Sequence, residues 1–262
     1  MTLFKNEFPI LEFDDSGSSV IMPNHENLDL ILPEKCVYGF LGDEIDEYAL
    51  KNKAIKVSEF VSATKLYPVY VTKYKGYEIC FSQAPVGSAA AAQFLDWLIA
   101  YGVREIISTG TCGCLVDIEE SVFVIPTRAL RDEGTSYHYM KPSRFVDIDK
   151  NAVEAIKFLF EERGINYIET TTWTTDGFYR ETEGMVKYRV EEGCRVVEME
   201  CSALCALAKL RDAIWGEILF TADTLCDVEN YDQRNWAEDT FSYALELAMD
   251  AVIKIGKEKK IK

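Results

Sequence analysis

The chain has 262 residues, 48% of them hydrophobic, and sets 28 basic side chains against 44 acidic ones for a formal net charge of −16. Such a length and apolar content bury one sizeable core, so a single domain is expected. The acidic balance excludes nucleic acid and anionic membrane surfaces as partners, because neutralising phosphates requires a basic face, and an anionic substrate would need a local cationic patch to work against this field.

Residues 1–33 carry three prolines and the turn Ser16-Gly17-Ser18-Ser19, and read as an N-terminal arm that includes His25. A domain over 34–256 and a frayed basic tail over 257–262 follow. Residues 36–41 form a short buried strand ending at Gly42-Asp43, and a helix runs from 45 to about 53. Residues 65–74 and 77–82 alternate around Lys75-Gly76 as a hairpin. The alanine-rich run 88–101, between Gly87 and Gly102, is a helix that delivers 104–109 as a central strand. That strand enters Gly110-Thr111-Cys112-Gly113-Cys114, a Gly-flanked loop at a carboxyl end, where open α/β sheets bind ligands. Strands are expected at 122–126, 167–172 and 216–221, helices at 151–162 and 236–255, and polar loops at 131–139 and 174–180. Strands alternating with helices predict a single-domain, three-layer α/β fold whose central mixed, largely parallel sheet is flanked by helices.

The eight cysteines lie mostly in apolar segments and read as reduced and buried. Neither Cys112/Cys114 nor Cys201/Cys205 has a zinc site's spacing with a matching second half, and the chain has two histidines, so no metal is expected. The first residues lack a signal peptide's apolar run and no stretch is long enough to span a bilayer, which predicts a cytoplasmic protein.

Val196-Val197-Glu198-Met199-Glu200, followed by a small apolar run to Leu210, reads as a strand ending on carboxylates at a helix start. Two acids two residues apart point to one side of a strand, where their charges repel. Two readings are open: first-turn acids favoured by the helix dipole, or a carboxylate that accepts hydrogen bonds from sugar hydroxyls.

Glu198-Met199-Glu200, followed by Cys201, Ser202 and Ala203, resembles the signature of the nucleoside phosphorylase family, which includes uridine phosphorylase, bacterial purine nucleoside phosphorylase and methylthioadenosine nucleosidase. The resemblance implies that Met199 packs on the ribose and Glu200 holds its 2′- and 3′-hydroxyls, which favours ribose over deoxyribose. Thr111, in Gly-Thr-Cys-Gly, matches the family's phosphate-contacting hydroxyl, and Phe178, in Thr-Asp-Gly-Phe-Tyr, matches the aromatic that stacks on the base. Asp223 matches the acid that protonates purine N7 as the glycosidic bond breaks, as an oxocarbenium-like transition state requires. His25 stands at the spacing of a histidine that reaches the neighbouring subunit's ribose.

The anion site departs from the family. Gly42-Asp43-Glu44-Ile45-Asp46 keeps the phosphate loop's glycine but puts an acid where its arginine belongs. Ser108 occupies a second arginine position, and Lys65 replaces a third, losing the bidentate fork. Arg131 and Arg180, which flank polar loops, are the candidate substitutes. Three functions follow: a phosphorylase with a rebuilt phosphate site, a nucleosidase in which Glu198 or Glu200 activates water, and a non-catalytic nucleoside binder. Thr111, Lys65 and the segment 131–139, which looks closest to the uridine branch, favour phosphorolysis, while Asp223 favours a purine. The resemblance also implies a homo-oligomer, a dimer or trimer of dimers. No metal or organic cofactor is implied, and inorganic phosphate is the co-substrate.

Overall fold

The computed structural model describes residues 3–256; the expected basic tail lies outside the described residues. In chain order the elements are β1 (Lys35–Gly39), α1 (Glu44–Lys51), β2 (Ile55–Val61), β3 (Leu66–Tyr74), β4 (Tyr77–Gln83), α2 (Ser88–Ala100), β5 (Glu105–Cys114), β6 (Phe123–Asp132), α3 (Ser136–Tyr139), β7 (Phe145–Asp147), α4 (Lys150–Arg163), β8 (Tyr167–Thr175), α5 (Glu183–Glu191), β9 (Cys194–Glu198), α6 (Cys201–Leu210), β10 (Ile214–Thr224) and α7 (Phe241–Val252).

Among the described residues all ten strands belong to one mixed sheet in the order β10-β6-β8-β9-β5-β1-β4-β3-β2, with β7 beside β6. β10 also pairs with β5, so β5, β9, β8, β6 and β10 close into a ring, and the β1–β4 side continues as an open wing. The wing ends in the antiparallel hairpin β3–β4 and the edge strand β2. Helices α2, α6, α4 and α7 cover the sheet with apolar faces that join one large core. α4 illustrates the local rules: Asp149 accepts from the Asn151 amide at 2.8 Å as N-cap, and Gly164, at φ +66, closes the other end in the left-handed region.

Four expectations change. Gly110–Cys114 is not a loop: β5 runs through it, paired with β10 on one side and β9 on the other, so those glycines lie inside a ladder. β6 continues to Asp132 and carries Arg131 into the sheet. The last helix starts at Phe241 rather than 236, because Arg234, Trp236 and Ala237 hold positive φ of 51–55°, a backbone that breaks a helix. Strands β2 and β7 and helix α5 were not anticipated. Of the eight cysteines, all are free and seven are buried, while Cys226 is exposed. Among the described residues no helix is long and apolar enough to cross a membrane.

The arm runs along the body, pinned where the Leu32 amide donates to Tyr101 O at 2.8 Å. Val20 and Ile31 on it are exposed.

Candidate active site

Where β9 ends against β5 and β10, the chain encloses an inner cavity of about 160 Å³. Gly110, Thr111, Cys112 and Gly113 form its β5 wall, Glu217, Leu219 and Asp223 its β10 wall, and Glu198, Met199 and Glu200 the third side. An outer chamber of about 450 Å³ shares Phe178, Glu181, Asp223 and Trp236 with it and adds Tyr179, Leu225, Val228 and Tyr231. Joined, the two chambers have the size of a small-molecule site. A Cβ on Gly110 would stand 2.9 Å from Phe40 Cβ, so the glycine lets Phe40 close the inner wall. The register of β10 slips between Thr221 and Thr224, a bulge of the kind that re-aims side chains beside a site, and Asp223 sits in it.

The two glutamates of the Glu-Met-Glu unit have separate surroundings. Glu198 is saturated. Thr172 and Thr174, on one face of β8, donate to its Oε1 at 3.2 and 2.6 Å, and the amides of Glu200 and Cys201 donate to its Oε2 at 2.7 and 2.6 Å. The dipole reading therefore describes Glu198, which caps the start of α6. Burial raises its pKa and these four donors oppose the rise. Glu200 instead turns across the cavity, its Oε1 accepting from the Gly87 amide at 2.5 Å. Gly87 reaches it at φ +96, a backbone open to glycine. Burial first, and the neighbouring Glu198 charge second, push the Glu200 carboxyl up to about 8. Beside them Ser88 Oγ donates to Met199 O at 2.5 Å, fixing the turn that carries Met199.

At the junction of the two chambers Asp223 is buried, and Tyr231 Oη donates to its Oδ2 at 3.0 Å. Burial raises its pKa while the tyrosine hydroxyl and Arg234 pull the other way. Arg234 stands behind the wall, its guanidinium donating to Ile118 O at 2.6 Å. Glu181, on the shared wall, is pushed up to about 7 by burial and then by Asp223. Phe178 is 39% exposed with its ring edge-on to Tyr179, so it belongs to the cavity rather than the core.

The structure thus gathers Thr111, Phe178, Glu198, Met199, Glu200 and Asp223 around one cavity. It does not bring the expected cations there. Arg131 is buried in its own network: Nε donates to Ser136 Oγ, Nη1 to Lys141 O and Ser143 Oγ, Nη2 to Met140 O, and the group lies 4.3 Å from the Tyr137 ring centroid. Four of its five N–H donors are taken there, and it lines neither chamber. Arg180 is exposed on the turn after Phe178 and lines neither chamber. Lys65 sits exposed on the edge hairpin, bonded to Gln83 Oε1 at 3.1 Å, and Gly42 lies in an exposed turn at φ +55. His25 is exposed on the arm, its Nδ1 3.0 Å from Met22 O. Asp46 accepts from Tyr70 Oη at 2.8 Å, and Ser108 Oγ accepts from Trp215 Nε1 at 2.9 Å.

Among the described residues, no lysine, arginine or histidine lines either chamber, whereas Glu181, Glu198, Glu200, Glu217 and Asp223 all line the inner one. Glu217 is the functional candidate that sequence reasoning passed over. A lone acid inside Ile214-Trp215-Gly216-Glu217-Ile218-Leu219-Phe220 was the available signal, since core strands rarely hold an unpaired carboxylate.

A mixed α/β sheet closed into a ring, with a carboxylate-lined small-molecule cavity beside a strand-to-helix junction, defines the class of protein. The sequence profile described as the phosphorylase superfamily matches residues 34–256, and the chain belongs to that superfamily. A curated relative, the DeoD-type purine nucleoside phosphorylase of Bacillus cereus, is 28% identical over 188 residues, 69% of this chain and 77% of its own. Uridine phosphorylase from Vibrio fischeri has the same fold with a TM-score of 0.71 at 20% identity, covering 89% of this chain and 95% of its own. AMP nucleosidase from Bacteroides thetaiotaomicron matches with a TM-score of 0.70 at 20% identity, covering 87% and 91%.

Proposed function

We propose that this protein cleaves the N-glycosidic bond of a purine nucleoside with water as the nucleophile, releasing the free base and ribose. The observation that carries the reading is the inner cavity itself: among the described residues five carboxyl groups line it and no cationic side chain does. A phosphate dianion entering there would shed its hydration without a charged donor to replace it, whereas water and sugar hydroxyls are donors that suit carboxylates. The same argument favours a nucleoside over a nucleotide. Membership of the superfamily supports this reaction type, and the chain's relatives and structural neighbours include phosphorylases and a nucleosidase.

In this reading Glu200, with one oxygen on the Gly87 amide, accepts from the ribose hydroxyls while Met199 packs on the ring. Phe178 stacks on the base. Asp223, its pKa raised by burial, donates the proton that lets the base leave as a neutral molecule. Glu198 touches neither sugar nor base; its four donors make it the group that holds Glu200 and the start of α6 in place. The reaction needs no metal or organic cofactor, and the chain works as a homo-oligomer built from dimers, with His25 delivered across the interface.

Phosphorolysis is the second reading. It is favoured by Thr111 on the inner wall and by Lys65, an exposed cation on the turn between β2 and β3 that, in a dimer of this reading, the partner would contribute. Base release from inosine, adenosine, guanosine, uridine and methylthioadenosine, each with and without phosphate, separates the two. Hydrolysis predicts equal release from purine nucleosides in both conditions. Release that requires phosphate would overturn it.

A further inference from the structure

If water is the nucleophile, something must take its proton. Glu198 has no free capacity and Glu200 is committed to the Gly87 amide and the sugar side of the cavity. Glu217 differs from both. It is 2% exposed, it lines the inner cavity, and its Oε2 is fully buried without a hydrogen-bond partner. It is the one carboxylate oxygen among the described residues in that condition. Its other contact is the Cys201 thiol. Strand register sets Glu217 opposite Ser108, whose Oγ accepts from Trp215, and among the described residues no cation lines the cavity beside it. An unpaired buried acceptor is costly, and in a polar cavity a water relieves that cost.

We propose that Glu217 is the general base of the reaction: its carboxylate, on the β10 wall of the inner cavity, receives the proton of the attacking water, directly or through one bridging water. This rests on the hydrolytic reading above. As the water oxygen bonds to C1′, its O–H pair stays on oxygen and the proton passes to Glu217. The C1′–N bond breaks with its electron pair going to the base, which is neutralised by the proton from Asp223. One proton enters Glu217 and one leaves Asp223, so a turnover closes by transfer through solvent. The charged and titratable groups that face Glu217 are Glu198 on β9, Glu200 and Cys201 at the start of α6, Cys205 further along it and Cys112 on β5. Burial first, then Glu198 and Glu200, raise its pKa, so Glu217 takes the proton only in its ionised form and its activity as a base grows as pH rises.

The test uses the full chain without phosphate. Glu217→Gln, which preserves shape and removes the base, should slow release of the purine by about 10²–10⁴-fold while binding 9-deazainosine, a nucleoside with no cleavable C–N bond, within about threefold of wild type. Glu217→Ala opens space on the β10 wall of the cavity, and sodium azide, a nucleophile that carries no proton, should restore release with ribosyl azide as product. Phosphate-independent release that persists in Glu217→Gln, or an azide-treated Glu217→Ala that yields no ribosyl azide, overturns the assignment of Glu217 alone. Release by wild type only when phosphate is present overturns the hydrolytic reading and the assignment with it.

Discussion

Glu200 and Asp223 both hold carboxyls above their ordinary pKa, and the difference in their partners separates their tasks. Glu200 accepts from a backbone amide and faces the side of the cavity that Met199 shares, the setting of a hydrogen-bond acceptor. Asp223 sits where the two chambers meet, held by a tyrosine hydroxyl, the setting of a proton donor. Asp223→Asn is therefore expected to lower kcat on purine nucleosides by about 10²–10⁴-fold with affinity nearly intact, because the proton matters only as the bond breaks. Parallel losses in kcat and in nucleoside binding, read from steady-state kinetics and a titration, would contradict that role. Residues tied to a short motif, Met199, Glu200, Phe178, Thr111 and Asp223, were legible because the motif fixes their neighbours. Arg131 and Arg180 were inferred from charge beside polar loops, and charge does not say which way a side chain turns. Arg131 turned into a buried network and Arg180 into solvent.

The element that organises the site is the start of α6, and β8 supports it. Thr172 and Thr174, two residues apart, present hydroxyls on one face of the strand to Glu198, and Thr174 Oγ1 also accepts from the Ser202 amide at 3.0 Å. Thr174→Val keeps the shape but removes one of the four donors to a buried carboxylate and leaves the Ser202 amide without its acceptor. Its expected cost is about 1–3 kcal/mol, visible as a lower Tm, together with weaker ribose binding as Glu200 loses its support. An unchanged Tm would show that the β8 hydroxyls do not hold this junction.

Elements with a clear period were legible: α2, α4, α6 and the β3–β4 hairpin fall close to their expected ranges. Edge and irregular pieces were not. β2 is largely exposed and alternates poorly, while α5 buries only Val186 and Arg189, so neither shows an apolar face. Gly110–Cys114 has a loop's composition, yet its glycines are what permit close packing inside a two-sided ladder. Closure of the ring depends on the β10–β5 pairing, which joins segments about a hundred residues apart and leaves no local trace.

For the molecule as a whole, buried acids couple the cavity to stability. The folded state holds the Glu200 proton up to about pH 8 against 4.5 for an ordinary glutamate, so between those values the native chain binds more protons than the unfolded one. The stabilisation is fully present below about pH 4.5 and is lost as pH rises towards 8, with a slope approaching 1.4 kcal/mol per pH unit for one such group. Glu217 shifts the same way, and the net charge of −16 adds repulsion as acids ionise. Thermal unfolding followed from pH 5 to 8 should show a falling Tm, and Glu200→Gln should flatten the decline. A Tm that climbs across this window would mean that the cavity acids are ionised in the folded state.

The central claim is that water, not phosphate, attacks the sugar, and it is tested most directly by the fate of the oxygen. A purine nucleoside turned over in ¹⁸O-labelled water with phosphate present should yield ribose carrying one ¹⁸O at C1, measured by mass spectrometry as the product forms and corrected for exchange. Accumulation of ribose 1-phosphate, with no label on the sugar, would contradict the account.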